Sequence, residues 1–250
     1  MKNFYLGFKF AFSYFSILPI NFKKSDNLAD KKVLASMLFF LPLVGLVLGL
    51  STLLLFSLIA HLEWYASLIS AVIYMMLYGF IHTEAVMDVA DAIYASHSGK
   101  DAYTIIKEPT VGAMGVLYAF AFVLLKVAGI IYLLNHHLLM EFIAILIISR
   151  LSLLMLFKIH TFKSSFATLL KESLSTPYII TSFTLFTLIG SLLYSKFIFL
   201  LFIGLLLAYL ISTWIKSKIK FVNGDVLGAT LESVEILLFF LVGVFILQKL

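Results

Sequence analysis

Phe197-Ile-Phe-Leu-Leu-Phe-Ile-Gly-Leu-Leu-Leu-Ala-Tyr-Leu-Ile-Ser-Thr-Trp-Ile215 is an unbroken apolar stretch without a single charge. About 20 such residues in a helix traverse the ~30 Å hydrocarbon core of a bilayer. A helix also satisfies its own backbone polar groups where no water can reach them. Six further apolar runs flank it: Leu34–Ala60, Tyr65–Ile81, Gly115–Leu134, Glu141–Phe157, Tyr178–Tyr194 and a shorter one, Ser233–Leu247. Each is expected to be an uninterrupted helix. The predicted architecture is all-α, a polytopic membrane helical bundle with about seven transmembrane helices in one integral membrane domain, residues 1–250. The segment Phe4–Ile20 carries Phe4, Phe8, Phe12 and Phe15 at helical spacing, with Lys2 and Lys9 nearby. It reads as an N-terminal amphipathic helix lying in the interface, with an eighth span as the alternative.

The composition agrees with this reading. Apolar residues make up 62% of the chain and charged residues 12%, with a mean hydropathy of +1.10. A soluble domain is nearer half apolar and a quarter charged, so a soluble, disordered or fibrous protein is excluded. The net charge is +5, yet the lysines sit between apolar runs and form no single patch, which argues against nucleic acid as a partner. The chain has no cysteine; disulfides, thiolate metal sites and cysteine nucleophiles are thereby excluded. No small-residue cleavage site follows Met1–Ile20, so no cleavable signal peptide is expected.

Lysine placement sets the expected orientation. One side collects Lys23, Lys24, Lys31, Lys32, Lys100, Lys107, Lys158, Lys163, Lys171, Lys216, Lys218 and Lys220, whereas the other has Lys196 and Lys249. The lysine-rich side is expected to face the cytoplasm, in a bacterial inner membrane. The longest polar interruption, residues 82–112, is then a cytoplasmic loop or helix packed on the membrane domain.

The acids that carry chemistry gather on that side. In Gly79-Phe-Ile-His82-Thr-Glu84-Ala-Val-Met-Asp88-Val-Ala-Asp91, the carboxylates of Glu84, Asp88 and Asp91 recur at i, i+4 and i+7. On a helix they form one stripe. Their mutual repulsion is relieved by a hard divalent cation such as Mg²⁺, which takes carboxylates together with substrate phosphates. The alternative is a solvated helix end. In Asn223-Gly-Asp225-Val-Leu-Gly228-Ala-Thr-Leu-Glu232-Ser-Val-Glu235, three acids again share a broad helical face. Gly228 leaves room for a phosphate or another backbone, while Asn223 or Asp225 could simply cap the helix. Between these motifs, Lys107-Glu-Pro-Thr-Val-Gly112-Ala-Met-Gly115 reads as a turn opening a helix whose amides could take a phosphate, with Lys107 as a point charge. His82 reads as a ligand or a helix cap.

These motifs, in this order, resemble cobalamin synthase, the adenosylcobinamide-GDP ribazoletransferase family. Its G-x-x-H-x-D-G-x-x-D-x-x-D block is similar to Gly79–Asp91, with Glu84 and Ala85 as departures. Its M-K-D-S-R-x-G-x-x-G block is similar to Ile106–Gly115, with Glu108, Pro109 and Thr110 as departures. Its G-D-x-x-G-A-x-x-E-x-x-E block is similar to Gly224–Glu235, and Phe40–Gly45 and Ser149-Arg150 also look like the family. The resemblance implies an Mg²⁺-dependent phosphotransferase of cobalamin biosynthesis. A hydroxyl of alpha-ribazole, or of its 5′-phosphate, attacks the cobinamide-side phosphorus of adenosylcobinamide-GDP, and GMP leaves. The implied catalytic residues are Asp88, Asp91 and Asp225. Glu84, Asp88, Asp91 and Asp225 would hold the metal, and His82, Lys107, Gly112, Gly228, Glu232 and Glu235 would bind substrate. The rival reading is a cation- or proton-coupled membrane transporter, since acids inside a membrane often mark ion paths. Association into a homo-oligomer is left open.

Overall fold

The computed structural model describes residues 2–247; Lys249, counted on the lysine-poor side, lies outside the described residues. Among them the regular elements are helical: α1 (Lys2–Phe15), α2 (Lys31–Phe39), α3 (Leu41–Leu58), α4 (Trp64–Leu77), α5 (Ile81–His97), α6 (Ala102–Lys107), α7 (Ala113–Asn135), α8 (Leu139–Ile159), α9 (Ser165–Ser173), α10 (Thr176–Leu193), α11 (Phe197–Ile219) and α12 (Gly224–Leu247), with one 3₁₀ turn at Ala60–Leu62. The helices α3, α7, α8, α10, α11 and α12 are long and apolar enough to cross a membrane. The chain is a multi-pass membrane protein.

Helix α8 is the axis of the bundle, buried along nearly its whole length and packed by α3, α11, α12 and α10. Close approach is achieved with small residues, as membrane helices require. At Gly45 of α3, a Cβ would stand 2.4 Å from the Leu146 carbonyl oxygen of α8. The outer faces carry exposed apolar side chains such as Leu54, Phe120, Leu188, Phe202 and Phe240, as contact with lipid demands.

Three spans differ from the uninterrupted helices that hydropathy predicts. The run Leu34–Ala60 is broken at Phe40, where α2 ends and α3 begins with Pro42 in its first turn; proline supplies no N–H to a continuing helix. The run Tyr65–Ile81 ends early, because Gly79 (φ 66°) and Phe80 (φ 54°) are left-handed. Their amides return to the carbonyls of Met76 and Met75, which closes α4 in a Schellman turn. The chain re-emerges as α5 at 76° to α4. The last span is longer than the run Ser233–Leu247, starting at Gly224, and two of its acids, Glu232 and Glu235, are buried as ion pairs that hydropathy does not credit.

Helix α1 has 14 residues, about 21 Å, and is too short to span. It lies on α2, where Phe4 and Phe8 meet Phe40 with ring centroids 4.7 and 5.3 Å apart. The beginnings of α7 and α12 and the ends of α8 and α11 meet α1, α5, α6 and α9 at one end of the bundle, the lysine-rich one.

Candidate active site

A cavity of about 280 Å³ opens at that lysine-rich end. Its floor is apolar, with Leu153 and Phe157 of α8 and Leu170 of α9. Its rim carries Tyr14, Phe15, Lys107, Phe166, Asn223 and Asp225. The Tyr14 and Phe166 rings meet at a tilt with centroids 5.6 Å apart, which ties α1 to α9 across the mouth.

Asp225 is the acid that lines this cavity, and it is not the N-cap of α12. The N-cap of α12 is Asn223, whose Oδ1 accepts the Val226 amide at 3.1 Å while its Nδ2 donates to Asp225 Oδ2 at 2.6 Å. Lys107 and Glu84 are the charged side chains nearest in effect to Asp225. Asp88 is on α5, outside the six spans. Burial, then the carboxylates of Asp225, Glu84 and Asp91, push its carboxyl up to about 6. Asp88 and Asp225 therefore share one electrostatic neighbourhood although the chain separates them by four spans. Burial and Asp225 also raise the Tyr14 hydroxyl above its ordinary range.

His82 is buried between aromatic rings, with centroids 6.1 Å from Phe15 and 5.8 Å from Tyr78. It lines the cavity but does not cap α5, which begins after left-handed Phe80 without a side-chain cap.

Other expected site residues are engaged elsewhere. Asp91 accepts the amides of Gly112 at 2.6 Å and Gly115 at 2.7 Å. The anion at the start of α7 is thus an internal carboxylate, which corrects the expectation that these amides stand free for a phosphate. It also explains the glycines, since a Cβ on Gly112 or Gly115 would lie 2.5 or 2.4 Å from an Asp91 oxygen. Gly228 lines the cavity, and its missing side chain also lets α5 approach: a Cβ there would come within 2.7 Å of the Ala85 Cβ. Among the described residues no three His, Asp or Glu side chains are already gathered into a metal cluster. The four carboxylates Glu84, Asp88, Asp91 and Asp225 are accordingly not one assembled centre.

Glu232 and Glu235 leave the site altogether. They are 1% and 0% exposed, as are Lys126 and Arg150 at 0% and 3%. Lys126 pairs with Glu232 and, at 2.8 Å, with Glu235, while Arg150 pairs with the other oxygen of Glu235. Tyr78 donates to Glu232 at 2.7 Å; Tyr74 and Ser149 donate to Glu235 at 3.1 and 2.8 Å. Two cations and two anions close on each other between α4, α7, α8 and α12. This corrects the expectation that both acids bind substrate: a buried charge is tolerable in a membrane only when paired. Sequence reasoning passed over Lys126, whose signal was one lysine within an otherwise apolar run.

The profile of the cobalamin-5-phosphate synthase family matches residues 7–243. The adenosylcobinamide-GDP ribazoletransferase of Clostridium perfringens (strain SM101 / Type A) is 27% identical, over 98% of this chain and 100% of its own length. That of Brevibacillus brevis is 29% identical over 95% and 98%, and that of Thermodesulfovibrio yellowstonii 26% over 94% and 96%. No solved structure matches the chain.

Proposed function

Since the chain belongs to the cobalamin-5-phosphate synthase family, we propose that it is an adenosylcobinamide-GDP ribazoletransferase working at the cytoplasmic face of a bacterial inner membrane. The observation that carries this reading is the cavity at the lysine-rich end, where Asp225, released from capping by Asn223, meets Lys107 and the field of Asp88. The ribazole 3′-oxygen forms a bond to the cobinamide-side phosphorus. The diphosphate P–O bond breaks, and GMP leaves with the bridging oxygen.

The cavity suits the acceptor better than the donor. Its volume of about 280 Å³ and its aromatic rim match a bicyclic base with its ribose, whereas a corrin ring is far larger and stays at the open mouth. Lys107 offsets charge on the phosphates. One carboxylate of the pair Asp88 and Asp225 takes the hydroxyl proton as the new bond forms. Asp88 and Asp225 fit Mg²⁺: they are hard oxygen donors, and Asp88 carries the repulsion of three neighbouring carboxylates, Asp225, Glu84 and Asp91. When bound there, Mg²⁺ supplies charge neutralisation to the transferring phosphoryl group.

Transport is disfavoured, because the interior charges are matched two against two and sealed by tyrosine and serine. The test is GMP release by purified protein given adenosylcobinamide-GDP and alpha-ribazole 5′-phosphate, with and without Mg²⁺. Product formation only with both substrates and the metal is expected. No GMP under any condition defeats the reading.

A further inference from the structure

A second concavity opens on the same end of the bundle. Lys100, Lys163, Lys218 and Lys220 line a cavity of about 380 Å³ together with Asp101. The lysines come from three separate segments: the turn between α5 and α6, the loop before α9, and the end of α11. None of the four forms an ion pair among the described residues. The one acid, Asp101, is already spent as the cap of α6. It accepts the Thr104 amide at 3.1 Å, the Thr104 hydroxyl at 2.8 Å and the Tyr103 amide at 3.4 Å.

Two of the lysines are also held in place. The Lys163 ammonium sits 3.9 Å from the centroid of the Tyr103 ring and 5.5 Å from that of Phe221. Its backbone amide donates to Val222 at 2.8 Å, which fixes the loop. Lys220 ends α11 in a left-handed conformation (φ 71°) and its ammonium folds back to the Ser217 carbonyl at 2.7 Å. Four cations against one occupied carboxylate form a cavity whose self-repulsion a polyvalent anion relieves. Trp214, one turn earlier on α11, is 54% exposed, and exposed tryptophans concentrate at the membrane–water interface.

We infer that this four-lysine cavity binds a phosphate group, supplied by an anionic phospholipid headgroup or by a free nucleotide monophosphate. It is separate from the cleft that holds Asp225 and uses none of its residues. Lysines gathered at a membrane surface recognise phosphate as point charges.

The experiment compares full-length protein in neutral detergent with Lys163→Gln/Lys218→Gln, using phosphatidylglycerol, phosphatidylcholine and GMP as separate probes in a thermal-shift titration. Phosphatidylglycerol, unlike phosphatidylcholine, should stabilise the wild type. The double variant should weaken the response about thirty-fold, the worth of two near-surface charges. Lys163→Arg/Lys218→Arg should retain it, and Lys100→Gln should give a smaller loss of the same sign. A thirty-fold loss for GMP with no change for phosphatidylglycerol assigns the phosphate to a nucleotide. If neither probe distinguishes the Gln variants from the wild type, the inference is overturned.

Discussion

Asn223 decides what Asp225 is for. Because the Asn223 side chain already caps α12, Asp225→Asn leaves the helix start intact and removes only a carboxylate from the cavity. The expected outcome is a loss of GMP release on the order of 100-fold or more, with the unfolding temperature nearly unchanged. Equal turnover in variant and wild type would return Asp225 to a structural role. Asp88 makes a prediction of the opposite kind. Its carboxyl, raised to about 6 by burial and three neighbouring carboxylates, favours the protonated form in the folded state. Its contribution is therefore fully present below the ordinary value near 4 and is lost as pH rises through about 6. Metal-free protein should lose stability over that window, by about 1 kcal/mol once solvent screening of a half-exposed group is allowed for. Thermal unfolding in chelator at pH 4.5 and 7.5 checks this, and Asp88→Asn should flatten the difference. The motif spacing made both residues legible as candidates; Asp225 is spared the cap by the nearby Asn223, while part of the repulsion on Asp88 comes from Asp225, brought in from a distant segment.

Helix ends govern the next level. The α7 start is an anion site filled from within by Asp91, and Gly112 and Gly115 are the clearance it needs. Asp91→Ala should cost about 1–2 kcal/mol of stability, as loss of a cap does. Asp91→Ser, whose hydroxyl can still accept an amide, should recover most of both stability and GMP release. Complete inactivity of a folded Asp91→Ser protein would instead make Asp91 a metal ligand. The glycine pair and the acid were each visible in the sequence. Their mutual contact was not, because the i, i+4, i+7 stripe suggests that Asp91 points where Asp88 does. The breaks at Pro42 and Gly79 had visible signals, yet hydropathy averages over a window and reads through them.

The bundle as a whole is keyed by Lys126, Arg150, Glu232 and Glu235, which lock α7, α8 and α12 at one depth. Removing one partner strands a charge in a dry interior. Lys126→Met should cost about 3–5 kcal/mol, and the double variant Lys126→Met/Glu232→Met should recover much of it, because Arg150 and Glu235 remain matched. Detergent-resistance and thermal-unfolding measurements on both variants check this; equal destabilisation by the single and the double would count against the pairing. Orientation is tested in intact cells, since a chain without cysteine accepts single reporters cleanly. Ser98→Cys should resist an impermeant thiol reagent and His137→Cys should react with it.

The amino-acid sequence by itself determined that this is an all-helical membrane protein with its lysines at one end, because apolar run length and charge placement are local quantities that a bilayer reads directly. It also determined the motif order that identifies the family. Only the tertiary structure decided which acids face the cavity and which serve the scaffold. Asp225, Asp91 and Glu235 are all acids on helices near the same motifs, and one-dimensional spacing treats them alike. Their roles separate through their partners: Asn223, two residues away, takes the cap beside Asp225, whereas from far along the chain the α7 amides claim Asp91 and Lys126 and Arg150 neutralise Glu235. In a low-dielectric interior the partner of a charge fixes what that charge can do, and partners are a property of the packed bundle.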